Sequence, residues 1–110
     1  MEELCQKTFK DLEDLLKEIA EKYFLAKKIT SLQNADYLAE EDYSQDSLYL
    51  FLEKVEKAYL SLNETEQNLI NNEFFYQSYY EWWKPLYSKA TFYRYKKCAM
   101  EKFLGVFYEE

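Results

Sequence analysis

A single glycine, Gly105, and a single proline, Pro85, leave this 110-residue sequence almost without the residues that build tight hairpins. An all-β or sheet-rich fold is therefore excluded on turn chemistry, before any periodicity is considered. Histidine is absent, and the two cysteines, Cys5 and Cys98, lie far apart with no metal-ligand spacing. A zinc site has no plausible donor set, and both thiols are expected free and reduced, with Cys98 a buried structural thiol on the packed side of its helix. No glycine-rich phosphate loop is present, and no Ser or Cys nucleophile has a plausible neighbouring base. The sequence thus points away from catalysis, and no cofactor is implied. Long apolar runs are also missing, so no membrane span is expected, and the acidic, amphipathic MEELCQKTFKDLEDLL lacks the features of a secretion signal. A cytoplasmic location is the corresponding expectation.

What the sequence does carry is aromatic residues, 20% of the chain with 12 Tyr and 8 Phe, and helical periodicity. Cys5, Phe9, Leu12, Leu16, Ile19, Tyr23 and Ala26 alternate spacings of four and three, which predicts one long helix from about Glu3 to Lys28. Its stripe faces a core or, as the alternative, forms the seam of a homodimer. Residues 31–46 lose the rhythm and gather Asn, Asp, Ser and Glu, as a solvated connector does. Asp46 or Ser47 then caps a second helix in which Leu48, Leu52, Val55, Tyr59 and Leu62 restore the pattern. Asn63 and Glu66 stand at capping-box spacing and open a third helix ending near Phe75. A short helix is expected over Gln77–Trp83, followed by a turn because Pro85 disfavours helical geometry at Lys84. Ser88 caps the last helix, whose Phe92, Tyr95, Ala99, Phe103 and Val106 form an apolar face, with fraying near Gly105. Pairs such as Glu13 with Lys17 and Glu53 with Lys57 read as exposed i,i+4 partners rather than acid-base dyads. The fold class is all-α, a single-domain bundle of about five helices, with residues 1–46 as a leading helix and acidic loop and 47–110 as the remainder.

The net charge of −7 would by itself discourage nucleic-acid binding, but it is segregated. Residues 79–106 hold six Lys or Arg against two Glu, a local excess of +4 that leaves −11 elsewhere. A basic face on an acidic body is what contact with phosphate requires, although an ordinary solvated helix would carry the same charges.

The element order NETEQNLINNEFF, a short helix, a turn ending in Leu86-Tyr87-Ser88, and the basic helix ATFYRYKKCAMEKFL resembles sigma-70 region 4. It is also similar to phage late-transcription regulators of the ArpU type, in which Ser, an aromatic pair, Arg, a basic pair, Ala and an apolar residue recur. Here these are Ser88, Phe92, Tyr93, Arg94, Lys96, Lys97, Ala99 and Met100. The similarity spans about residues 47–106 and is strongest over 62–104; Pro85, Leu86, Tyr87 and the tandem Trp82-Trp83 depart from the family's turn. The resemblance implies a C-terminal helix-turn-helix and double-stranded DNA as partner, with RNA polymerase a further candidate. It implies base-side roles for Lys89, Thr91, Tyr93 and Arg94, phosphate roles for Lys84, Lys96 and Lys97, and a capping role with possible phosphate contact for Ser88. The alternative is a protein-interaction module that keeps this shape without binding DNA. At least one of Trp82 and Trp83 is expected in the core.

Overall fold

The structure, a computed structural model, describes residues 8–33 and 45–109, and all regular structure among them is helical. Helix α1 spans Phe9–Gln33, α2 Gln45–Leu60, α3 Glu64–Ile70 and α4 Lys89–Phe107, with a π-helical turn over Asn71–Phe75 continuing α3. Each boundary has a local cause. Thr8 opens α1: its hydroxyl accepts from the Asp11 amide at 3.1 Å, and its own amide donates to Asp11 at 3.3 Å. Among the described residues the helix begins at Phe9, the expected start at Glu3 lying outside them, and it runs on to Gln33, beyond the expected end at Lys28. Cys5 and most of the expected connector over 31–46 lie outside the described residues.

Asn63 caps α3 as the sequence predicts: its side chain accepts from the Glu66 amide at 2.8 Å, and the Glu66 carboxylate accepts from the Asn63 amide at 2.9 Å. Gln67 closes the corner from α2 by donating to the carbonyls of Tyr59 and Leu62. The Tyr76 amide donates to the carbonyl of Asn71, five residues back, which makes the π turn. Such a turn shifts the helical phase within one element. Here that phase leaves Phe74 and Phe75 buried while Glu73 reaches α4.

The short helix expected over Gln77–Trp83 is not formed. Successive turns replace it, with Trp82, Lys84 and Leu86 each donating to the carbonyl three residues earlier and Glu81 at φ 58°. Left-handed backbone at a non-glycine residue ends any helix there, and Pro85 prevents resumption. The indoles supply the reason for this path. Trp83 stacks on Phe92 with centroids 4.4 Å apart and planes at 9°, and Trp82 meets the same ring edge-on at 6.0 Å. Both tryptophans are buried, so neither is left over for a partner.

Helix α4 is the central element, packed against α1, α2 and α3. Leu12, Leu16, Ile19, Val55, Ala58, Leu69, Ile70, Phe92, Met100 and Phe103 form one continuous core. Within the α1 stripe Leu12, Leu16, Ile19 and Ala26 are buried inside the single chain, and Phe9 and Tyr23 are half-buried. The buried side of α4 is Phe92, Lys96, Ala99, Met100, Phe103, Leu104, Gly105 and Phe107. Tyr95 is exposed, Val106 only half-buried, and Gly105 lies inside the helix rather than at a frayed end. Cys98, expected in the interior, is exposed. No described helix is long and apolar enough to cross a membrane.

Candidate nucleic-acid interface

The amino-terminal half of α4 is held by a side-chain cap. Ser88, with extended backbone, accepts from the Thr91 amide at 3.2 Å and donates its hydroxyl to Thr91 Oγ1 at 2.9 Å. Both hydroxyls are thus engaged with each other, and half-buried Thr91 supports the cap. Beyond the cap, Lys89, Tyr93 and Lys97 follow one another at i, i+4 and i+8, and Arg94 lies one position round from Tyr93. All four are exposed. Among the described residues no carboxylate lies within ion-pairing distance of Lys89, Arg94 or Lys97. Arg94 rests over the neighbouring Tyr95 ring at 5.8 Å, and Tyr93 makes edge contacts with Phe9 of α1, Phe92 and Trp83. Lys84, on the turn segment, is exposed and pairs with Glu81 at 3.0 Å.

Lys96 departs from the role the sequence suggests for it. Only 6% exposed, its ammonium donates to Glu13 Oε2 and Glu73 Oε1, each at 2.7 Å. The rings of Phe9, Phe74 and Phe92 surround the same nitrogen at 5.4 to 5.9 Å. Glu73 is held from its other oxygen by the Trp82 indole N–H at 2.7 Å. Burial disfavours the Lys96 charge, but the hydrogen bonds and charges of Glu13 and Glu73 outweigh it and raise its pKa above the ordinary lysine value. A lysine neutralised in this way is a core cross-link and offers nothing to a phosphate. Glu13 likewise turns across the molecule instead of pairing with Lys17 on its own helix.

A second cross-link escaped the sequence reading: Lys102 lies 2.8 Å from Glu66, the carboxylate that also completes the α3 cap. Burial opposes the Glu66 charge, while donation from Lys102 and the Asn63 amide overcomes it and lowers the Glu66 pKa. Among the described residues no group of three or more His, Cys, Asp or Glu is placed to hold a metal ion.

No family model, curated protein or solved structure matches this chain. The site is read from its own chemistry: three cations with no ion-pair partner among the described residues, and a tyrosine, on the exposed arc of a capped helix whose other arc is locked into the core.

Proposed function

We propose that this protein is a DNA-binding transcription regulator or sigma-like factor, with the amino-terminal half of α4 entering the major groove, presented by the turn segment of residues 77–88 in place of the short helix that a helix-turn-helix would put before it. The observation that carries the reading is the pairing of an open cationic arc, Lys89, Arg94 and Lys97, with a rigid opposite face. An element that inserts between phosphate rails needs free charge outward and a fixed rotation about its axis, and the Lys96 cross-link with the Trp83–Phe92 stack supplies the second. Arg94 is the candidate for a base-edge contact, and Lys97 and Lys89 for phosphates. Lys96 drops out of the set, and Ser88 acts as cap. Fluorescence anisotropy with labelled duplex DNA across a range of salt tests the proposal. Affinity falls as salt rises, and Arg94→Ala weakens it; absence of binding to any duplex at low salt removes the reading.

A second reading, a module that binds protein without binding DNA, is favoured by a different surface. Exposed Leu60 and Tyr76 line a concavity of about 360 Å³ between α1, α2 and the π turn, and exposed Phe24 and Leu25 lie on α1. Retention of RNA polymerase or another protein from nuclease-treated lysate, with no intrinsic DNA affinity, selects this reading over the first.

A further inference from the structure

Beside the amino end of α4 the turn segment encloses a cleft of about 830 Å³, bounded by Tyr79, Tyr80, Trp83, Lys84, Lys89 and Tyr93. Tyr79 and Tyr80 are 70% and 87% exposed, and among the described residues neither ring meets another aromatic ring or a cation. Two adjacent tyrosines with open ring faces do nothing for the core. The acidic groups in the cleft are already matched: Glu73 by Lys96 and Trp82, and Glu81 by Lys84. Among the described residues Lys89 remains without an ion-pair partner at the rim, on the same side of α4 as Lys97.

Open aromatic faces beside unpaired cations suit a nucleic acid whose bases are unstacked. A ring can cover the face of any base, whatever its identity, while the cations follow the backbone. Within a continuous duplex each base face is covered by its neighbours, so these tyrosines would have nothing to stack on. A protein strand is the poorer fit, because the cleft is lined by polar groups as much as by apolar ones and its two open rings stand at the exposed edge.

We infer that the cleft receives an unpaired base of the nucleic acid lying along α4, so that the preferred ligand is a duplex interrupted by a melted stretch. This rests on the DNA-binding reading and adds the stacking subsite to it. Three labelled DNAs of equal length test it by anisotropy: a full duplex, the same duplex with a central mismatched bubble, and one strand alone. The bubble binds at least about tenfold more tightly than the duplex, and Tyr79→Ala/Tyr80→Ala removes most of that advantage while leaving duplex affinity and the thermal melt unchanged. Arg94→Ala weakens both ligands. Equal affinity for bubble and duplex overturns the stacking subsite and leaves the DNA-binding reading standing, and so does a bubble preference that survives the double substitution. Failure to bind any of the three overturns both, and binding to the bubble without binding to the duplex removes the duplex reading together with the subsite placed beside it.

Discussion

Lys96 and Glu13 are 83 residues apart in the chain, and their charged atoms are 2.7 Å apart in space. With Glu73 on the other side of the ammonium, this contact fixes α1, the π turn and α4 relative to one another at a single buried point. Removing the cation leaves two carboxylates facing each other among phenylalanine rings. Lys96→Met is expected to cost about 3–5 kcal/mol, the loss typical when one partner of a buried pair is deleted. Urea unfolding measures it as a lowered midpoint. The triple variant Glu13→Gln/Lys96→Met/Glu73→Gln should recover most of the loss, and a single-variant cost below about 1 kcal/mol would show the pair to be dispensable.

Helices α1 and α2 are legible in the sequence because their apolar periods are uninterrupted, and α3 because of its cap. Leu12, Leu16, Ile19 and Ala26 of α1, Val55 of α2, and the Asn63–Glu66 cap all stand where spacing alone puts them. The rotation of α4 was not legible. A lysine at 96 breaks the apolar row, so the period was drawn through Tyr95 and Val106, while the real seam passes through Lys96, Met100, Leu104 and Phe107. Only Glu13 and Glu73, remote in sequence, make a lysine acceptable there. The same rotation places Cys98 outward, although the period drawn through Tyr95 sets it inward. The tryptophans misled in the opposite way, since helical propensity over 77–83 yields to the depth at which both indoles pack. Of the five residues that the helical wheel sets opposite the apolar face, Lys89, Tyr93, Arg94 and Lys97 are exposed and Lys96 is buried.

The indole pair gives two substitutions that separate packing from hydrogen bonding. Trp83→Ala removes the ring stacked on Phe92 and should cost about 3–5 kcal/mol, as large-to-small core changes do. Trp82→Phe keeps an aromatic ring but deletes the donor to Glu73, with a smaller loss of about 1–3 kcal/mol. Denaturation midpoints should rank wild type above Trp82→Phe above Trp83→Ala. The reverse order would mean that the Glu73 contact, not the stack, holds the turn segment.

Acid should act through Glu66. Its folded-state pKa is lowered, so the unfolded chain binds the proton more readily. The stabilisation is fully present above the unfolded value, about 4.3, and is lost as pH falls through the depressed one. Lys102→Ala deletes one donor and should move the Glu66 titration upward, read from its side-chain carboxyl signal by NMR. An unchanged titration would assign the shift to the Asn63 cap alone. Lys96 acts at the other end of the scale: its pKa is raised, so its contribution holds below about pH 10.4 and disappears as pH climbs through the folded value.

The burial of Lys96 also sets a number for DNA binding. Each phosphate neutralised by a cation releases counterions and steepens the dependence of log affinity on log salt by about 0.9. Only cations that can reach a phosphate count. Lys89, Arg94 and Lys97 are open, and Lys84 counts if it leaves the exposed pair with Glu81, which is weak enough to exchange. Three or four contacts give a slope between about −2.7 and −3.6, shallower than the six basic residues of 79–106 would suggest. Lys97→Ala should reduce the slope by about one and weaken all duplexes alike. If Arg94 reads a base edge, Arg94→Ala should instead flatten the discrimination between sequences, by about 1–3 kcal/mol at one position. A measured slope steeper than about −5 would require all six basic residues of 79–106, with Lys102 leaving Glu66 and Lys96 leaving Glu13 and Glu73 for the duplex, and the two-carboxylate clamp would then be a latch rather than a fixed cross-link.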